Sequence, residues 1–236
     1  MTKGKLYLIP TVISDNTQNH VISERVKEVI KEVDCFLVEN MRTARRYISS
    51  LKLGVEIESL RFEVLDKKST LEQLKEMMLP VFEGKSIGVI SESGCPGVAD
   101  PGALAVEFAH KNDIQVVPLV GPSSILMTLM ASGFNGQSFA FHGYLPIDKA
   151  LRKAKIEKLE NDAYRQDQTQ LFMDTPYRNI HLFEDLLKHC KSETKICVAR
   201  DVTGAKEYIS TKTVKEWKGS DLPDLHKIPV VFGMYT

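Results

Sequence analysis

The sequence predicts an α/β protein whose sheets are mostly parallel. Two features of the 236-residue chain indicate this class. Short apolar runs that suit buried strands alternate with helical patterns along the whole length, which is typical of strand–helix–strand units. The chain also divides into two blocks, which we predict to be domains over residues 1–118 and 119–236. The second block has more antiparallel-looking strands towards its end, so we expect a mixed sheet there.

The first block alternates apolar runs with helical patterns. Its predicted strands cover residues 5–10, 34–39, 86–91 and 114–120. Its predicted helices cover residues 22–33, 43–51, 69–82 and 103–112. Ser23 is the expected N-cap of the first helix, and Gly54 is the expected stop of the second. Residues 56–66 fit neither pattern clearly.

The second block continues the alternation. Its predicted helices cover residues 121–133, 148–160, 175–190 and 213–218. Its predicted strands cover residues 138–146, 169–174, 194–200, 207–213 and 228–235. We expect Pro122 to open the first of these helices and Gly133 to close it, because proline favours a first helical position and glycine follows helix ends.

The composition is that of an ordinary soluble globular protein. Hydrophobic residues make up 43% of the chain, and 31 basic residues balance 31 acidic ones, which excludes a disordered chain and a histone-like polyanion binder.

The four cysteines show no C-x-x-C spacing, which favours a reduced, cytoplasmic setting. No apolar stretch reaches the roughly 18 residues of a membrane span, so we expect no membrane association. No histidine pair has the spacing of a metal site, and we predict no metal.

The loops that follow predicted strands are the candidate sites, because ligands of open α/β sheets bind beside the carboxyl ends of strands. The first strand leads into PTVISDNTQN, which lacks the glycines of a G-x-G-x-x-G nucleotide fold. SESGCPGVADPG, over residues 91–102, lets a ligand approach the backbone closely. VPLVGPSSI, over residues 117–125, offers free N–H groups at a helix start. Both segments also suit ordinary turns and helix capping.

A third loop, FHGYLP over residues 141–146, precedes a helix rich in lysine and arginine. Such a helix can bind phosphates, although a solvated helix face is the simpler interpretation because acidic residues dilute the charge.

Six motifs, in this order, resemble those of the tetrapyrrole methylase superfamily. They are VENMRTAR, SESGCPGVADPG, PLVGPSS, FHGYLP, FMDTPYR and VARDVT. Within that superfamily the chain looks most like the bacterial small-subunit ribosomal RNA ribose 2′-O-methyltransferases that act on a cytidine. It departs from their pattern in the first loop, which has lost its glycine. Glu92 and Cys95 also stand where the family has Asp and Thr.

The resemblance implies a fold of two α/β domains, the first with a mostly parallel and the second with a mixed sheet, and S-adenosylmethionine in the cleft between them. By the same resemblance, the cofactor-binding residues are Ile13, Ser91, Glu92, Gly94, Cys95, Val98, Ser123, Ser124, Phe172, Asp174, Val202, Pro229 and Val230. Superfamily relatives are commonly homodimers, so a homodimer is expected.

The substrate implied by the resemblance is ribosomal RNA or the small ribosomal subunit. A ribose hydroxyl is a poor nucleophile and needs a base, and the candidates are Glu39 and Glu92 at strand ends. The candidate substrate-binding residues are the cations Arg42, Arg45, Lys149, Arg152 and Lys153. Two other functions stay open: methylation of a small tetrapyrrole or other metabolite, and a non-catalytic binding module on the same fold.

Overall fold

A computed structural model describes residues 2–236 and divides them into two units, the first ending at Ser123 and the second running from Ser124 to Thr236. Met1, which the predicted first domain includes, lies outside the described residues. The predicted division after residue 118 falls earlier in the chain than this one. The loop after residue 118 packs within the first unit, where the Cys95 thiol lies 3.4 Å from the carbonyl oxygen of Pro122.

The first unit is built on a five-stranded sheet in which every pairing is parallel. Its strands are β1 (Leu6–Ile9), β2 (Cys35–Val38), β3 (Arg61–Val64), β4 (Ile87–Ile90) and β5 (Val116–Pro118). Their order is β3-β2-β4-β1-β5. The residues of β2 and β4 are all buried, which explains why they are continuous apolar runs without alternation. The ambiguous segment 56–66 supplies β3 at the edge of the sheet. Its side chains there are half-buried or exposed, so the segment shows no clear apolar period.

The helices of the first unit cover both faces of its sheet. They are α1 (Gln18–Val21), α2 (Glu24–Glu32), α3 (Met41–Ser50), α4 (Leu71–Met77), α5 (Leu79–Phe82) and α6 (Gly102–Lys111). Ser23 caps α2 as predicted by accepting a hydrogen bond from the Val26 N–H. The predicted stop at Gly54 is wrong, because α3 already ends at Ser50, Leu51 is its C-cap, and Lys52 takes the left-handed backbone conformation. The predicted helix over 69–82 is divided between α4 and α5 near Pro80, which has no N–H to donate.

The second unit has a mixed sheet, as predicted. Its strands are β6 (Phe139–Tyr144), β7 (Thr169–Met173), β8 (Lys195–Arg200), β9 (Tyr208–Thr213) and β10 (Val230–Tyr235). Their order is β6-β7-β10-β8-β9. Only β6 and β7 pair in parallel, and the other three pairings are antiparallel.

The helices of the second unit are α7 (Ser124–Ser132), α8 (Lys149–Gln166), α9 (Asn179–His189) and α10 (Val214–Lys218). Helix α7 begins at Ser124, so Pro122 precedes it and does not occupy its first position. Helix α8 continues beyond the predicted end at residue 160 and stops where Asp167 takes a left-handed conformation. Trp217, the only tryptophan, is fully buried in the core and donates from Nε1 to the Ile196 carbonyl at 2.9 Å.

Within residues 2–236, no helix combines the length and the apolar character that crossing a membrane requires. The same residues contain no group of His, Cys, Asp and Glu side chains arranged to hold a metal ion.

Candidate functional site

The carboxyl ends of the parallel strands bring four loops to one edge of the sheet in the first unit. These loops follow β1, β2, β4 and β5 and cover residues 10–17, 39–40, 91–101 and 119–123. All four contain residues predicted to bind the cofactor or to act in catalysis. Ligands of open α/β sheets bind at this edge, so it is the candidate site of the first unit.

Direct contacts join three of these loops. The Thr11 N–H donates to the Gly94 carbonyl at 2.9 Å, and the buried Tyr47 hydroxyl donates to the Pro10 carbonyl at 2.9 Å. A β-carbon added to Gly121 would lie only 2.2 Å from the β-carbon of Pro10. Glycine is therefore required at position 121 for the loops after β1 and β5 to approach each other this closely.

Gly94 is the point of the predicted cofactor loop that approaches both the loop after β1 and the loop after β5. Its φ of +72° is a left-handed conformation, and an added β-carbon would lie 3.1 Å from the Pro122 carbonyl oxygen and 3.2 Å from Ile13 Cγ2. The first unit thus brings together Ile13, Gly94 and Cys95 from the predicted set, next to Pro122. Ser123 follows Pro122 directly in the chain.

Three carboxyl groups from two loops form a cluster at the same edge. Partial burial, a hydrogen bond with Asp100 and the nearby charge of Glu92 raise the pKa of Glu39 to about 7. Burial also raises the pKa of Glu92, while a hydrogen bond from Thr43 acts in the opposite direction. The two predicted candidate bases therefore lie close together, and the raised pKa of Glu39 keeps this carboxyl part protonated near neutral pH.

Asp100 is a member of this cluster that sequence reasoning did not select. Its Oδ1 accepts hydrogen bonds from the N–H groups of Gly97 at 3.1 Å and Gly102 at 2.7 Å. Gly102 leaves room for this carboxylate, since an added β-carbon there would lie 2.7 Å from Oδ1. The signal was present in the sequence as A-D-P-G, where an aspartate between small residues is suited to accept hydrogen bonds from backbone N–H groups.

Two of the three arginines predicted to bind substrate, Arg42 and Arg45, lie on α3 and are exposed. The Asn40 side chain caps this helix and accepts hydrogen bonds from the N–H groups of Arg42 and Thr43. The Arg45 guanidinium lies 5.3 Å from the centre of the Phe62 ring, which gives it a packing contact within the first unit.

Most of the predicted residues of the second unit gather at one end of its sheet. Val230 pairs with Arg200, and the Asp201 N–H donates to the Pro229 carbonyl at 3.0 Å, which brings Val202 close to the start of β10. Phe172 is fully buried and stacks on Phe232 with ring centres 6.0 Å apart, so its ring belongs to the core. Asp174 is also buried.

The Asp174 carboxylate is engaged inside the second unit. Its Oδ1 accepts from the Thr175 N–H at 2.7 Å and from Arg178 Nε at 2.8 Å. These bonds orient the loop after β7 and neutralise the buried charge.

The structure separates Arg152 from the other cations of α8. Its side chain is 7% exposed and is bonded to Asp185, while its Nη1 donates to the Ile147 carbonyl at 2.9 Å. Lys149 and Lys153 are exposed, and Lys153 has only a loose contact with Glu157 at 3.7 Å. The geometry therefore assigns Arg152 to the internal packing of α8 and α9, which explains why a basic residue at this position need not indicate phosphate binding.

Replacing Arg152 by Ala should destabilise the second unit by about 2–3 kcal/mol, because Asp185 would keep a partly buried charge without its partner. Replacing Lys153 by Ala should change the stability by less than about 0.5 kcal/mol, since its ion pair is exposed. Denaturant unfolding of the full chain, followed through Trp217 fluorescence, measures both values. Equal stabilities for the two variants would contradict the internal role of Arg152.

The edge of the first unit fits a small ligand with polar groups and a positive charge. The Thr11 hydroxyl is buried and has no hydrogen-bond partner within the described part of the chain. The Thr11 N–H bonds to the carbonyl of Gly94, in the same loop as Glu92 and Asp100 of the carboxyl cluster. Carbonyl and carboxylate oxygens favour a sulfonium cation, so these residues suit S-adenosylmethionine.

Comparison with protein families gives one match over most of the chain. The model of tetrapyrrole (corrin/porphyrin) methylases matches residues 15–218. Curated relatives named ribosomal RNA small subunit methyltransferase I are similar to this chain. The protein from Haemophilus influenzae is 31% identical over 217 residues, which are 91% of this chain and 72% of the relative. That from Vibrio cholerae is 29% identical over 213 residues, which are 89% of this chain and 69% of the relative.

Solved structures of similar fold are methyltransferases. The methyltransferase CobJ superposes with a TM-score of 0.62 over 99% of this chain and 94% of its own, at 17% identity. Uroporphyrin-III-C-methyltransferase from Thermus thermophilus superposes with a TM-score of 0.54 over 98% of this chain and 92% of its own, also at 17% identity. At this identity the likeness establishes the two-domain α/β fold alone.

Proposed function

We propose, since this chain belongs to the tetrapyrrole (corrin/porphyrin) methylase family, that it methylates a ribose 2′-hydroxyl of small-subunit ribosomal RNA. The chain is a methyltransferase that uses S-adenosylmethionine as its methyl donor. The observation that carries the choice of RNA is the similarity to enzymes named for ribosomal RNA, which extends over about nine-tenths of the chain.

The loops at the edge of the first unit are the proposed cofactor site. S-adenosylmethionine supplies a methyl group that is already activated, so the protein's task is to align the acceptor and to exclude water. Gly94 leaves the backbone open to close approach, and Ile13 offers an apolar contact beside it. The unpartnered hydroxyl of Thr11 is a further group for the cofactor's polar atoms.

Glu39 is the proposed general base. A carboxyl group with a pKa of about 7 keeps a substantial ionised fraction at neutral pH and is a stronger base than an ordinary glutamate. It would take the proton of the ribose hydroxyl as the oxygen becomes the nucleophile. Asp100 is a positioning residue in this scheme, because it holds the backbone around Gly97 and Gly102 while sharing a hydrogen bond with Glu39.

We further propose that Arg42, Lys149 and Lys153, all exposed, contact the RNA phosphates. A homodimer in the cytoplasm completes the proposal. The homodimer is proposed because superfamily relatives are commonly homodimers. The cytoplasmic setting is proposed because the cysteines are free and the proposed substrate is RNA.

The test is methyl transfer from radiolabelled S-adenosylmethionine to small ribosomal subunits that lack the modification. We expect label in the RNA, with one phosphodiester bond made resistant to alkaline hydrolysis, because a methylated 2′-oxygen can no longer attack its phosphate. Subunits that already carry the modification serve as the control and should remain unlabelled.

Other outcomes of this experiment would overturn the proposal. Label on a base would replace the ribose assignment, and label only on a small tetrapyrrole would replace RNA as the substrate class. A protein that binds RNA but neither transfers methyl nor co-purifies with S-adenosylhomocysteine would be a non-catalytic module.

A further inference from the structure

One end of the sheet in the second unit carries exposed apolar and aromatic side chains to which the proposed function gives no role. Strands β6 and β7 run in parallel and end there together, with Tyr144 paired to Met173. The loop after β7 continues through Tyr177, and it is tied to the start of β10 because the Lys227 N–H donates to the Pro176 carbonyl at 3.1 Å.

Large apolar side chains at this end are exposed. The exposed fractions are 60% for Tyr144, 71% for Ile147, 63% for Leu151 and 70% for Tyr177. The backbone that displays them is firmly held. Leu145, which follows Tyr144, is buried in the core, and the guanidinium of Arg152 donates to the Ile147 carbonyl. Exposed aromatic rings on a fixed backbone are suited to bind a flat partner.

The charges at this end favour an anionic partner. Lys149 is exposed, with no carboxylate partner among residues 2–236, and Lys227 Nζ lies 5.9 Å from the centre of the Tyr177 ring. Of the nearby carboxylates, Asp174 is buried, and Asp148 is exposed at the start of α8. Asp148 accepts from the N–H groups of Ala150 and Leu151, and Asp174 is buried with Arg178. At this end Lys149 and Lys227 both present a positive charge to solvent, beside the exposed carboxylate of Asp148.

We propose that Tyr144, Ile147, Lys149, Leu151, Tyr177 and Lys227, which we name the aromatic edge, bind an unpaired segment of RNA. Unpaired bases stack on the two tyrosine rings, and the lysines contact the phosphates. A duplex does not fit this surface as well, because its bases are already stacked on one another. The inference rests on the proposed function and adds to it the class of RNA structure that the protein recognises.

The test is fluorescence anisotropy of the full chain with a labelled, unstructured RNA of about 12 nucleotides, a length suited to single-strand sites. We expect Tyr144→Leu and Tyr177→Leu each to weaken binding about tenfold, since leucine cannot stack on a base. Tyr144→Phe and Tyr177→Phe should bind nearly as well as the original chain. Tyr164→Leu is the matched control, because Tyr164 is 75% exposed and also has a lysine, Lys191, 5.9 Å from its ring centre.

Salt and strandedness provide independent readouts. Lys149→Ala and Lys227→Ala should each flatten the dependence of log affinity on log salt by about one unit, as expected for loss of one phosphate contact. The same RNA annealed to its complement should bind more weakly, and its affinity should be insensitive to the tyrosine variants.

Undiminished RNA binding by both leucine variants, or equal loss with Tyr164→Leu, would overturn the inference. A change of oligomeric state in the leucine variants, measured by sedimentation velocity, would instead assign the aromatic edge to a contact between two copies of the chain. These results are separable from the proposed function, because anisotropy needs no methyl transfer. Normal ribose methylation with unchanged RNA binding in both variants would leave the proposed function standing without the aromatic edge.

Discussion

Replacing Glu39 by Gln should lower methyl transfer to RNA by about 10²–10⁴-fold, the usual contribution of a general base. Glutamine has nearly the same shape but cannot accept the proton of the ribose hydroxyl. The measurement is a single-turnover rate with saturating cofactor and RNA. Cofactor affinity, measured by calorimetry, should stay within about threefold, because the substitution removes a proton acceptor and leaves the glycine-rich loop in place.

The pH profile of the unaltered protein tests the same assignment. The rate should rise with pH and level off above a pKa near 7, because Glu39 must be ionised to act. Asp100→Asn should move this midpoint to lower pH, since it removes a neighbouring carboxylate that raises the pKa of Glu39. The asparagine oxygen can still accept from the N–H groups of Gly97 and Gly102, so the loop is retained.

Stability distinguishes a catalytic loss from a folding defect. The folded state raises the pKa of Glu39 from its ordinary value near 4.5 to about 7. The stability contributed by the protonated form is therefore present below about pH 4.5 and is lost as the pH rises through 7. Glu39→Gln should thus unfold at an equal or higher temperature than the original chain at pH 8, as measured by calorimetry.

The matched control for Glu39 is Glu58→Gln, an exposed residue of the same unit. It should leave both the rate and the pH profile unchanged. A Glu39→Gln protein that retains full activity, or a rate that does not depend on pH near 7, would remove Glu39 as the base and leave Glu92 as the candidate.

Replacing Gly94 by Trp should reduce S-adenosylmethionine affinity by at least about 100-fold. Even a single β-carbon at this position would lie 3.1 Å from the Pro122 carbonyl oxygen, so an indole must project into the space between the loops after β1, β4 and β5. Filling a ligand site excludes the ligand outright, which is a larger effect than loss of one contact. Isothermal calorimetry with the full chain measures the affinity.

Backbone strain must be separated from this exclusion. Gly54 has nearly the same left-handed conformation, with a φ of +73°, and no heavy atom lies within 4 Å of an added β-carbon. Gly54→Trp therefore carries the same strain, about 1–2 kcal/mol, away from the proposed cofactor loops. It should keep normal cofactor affinity. If both tryptophan variants bind the cofactor alike, the cofactor does not lie at Gly94.

Much of the fold follows from local patterns. The apolar runs of β1, β2 and β4 are unmistakable because parallel strands are buried on both faces, and Ser23 caps α2 where the sequence suggests. The edge strand β3 was not predicted, since half-exposed side chains carry no strict period. The break between α4 and α5 was also missed. A proline within the first turn of a new helix leaves an apolar stripe that looks continuous.

Candidate residues differ in how well local patterns predict them. Glycines at positions 94 and 97 are informative by themselves, because a left-handed backbone favours glycine. Charged residues are not informative by themselves, because the same side chain can bind a substrate or form an ion pair inside the protein. Arg152 illustrates this: it belongs to a basic helix by sequence, yet it is buried against Asp185 from another helix.

Composition, periodicity and the order of six motifs were sufficient to identify a two-domain α/β methylase, because these signals are carried by residues close together in the chain. The carboxyl cluster of Glu39, Glu92 and Asp100 depended on the tertiary structure. Its members come from loops after two different strands, and only the parallel pairing of β2 with β4 brings them to one edge. The raised pKa of Glu39 has the same origin, since burial and neighbouring charges act through space and leave no trace in the linear sequence.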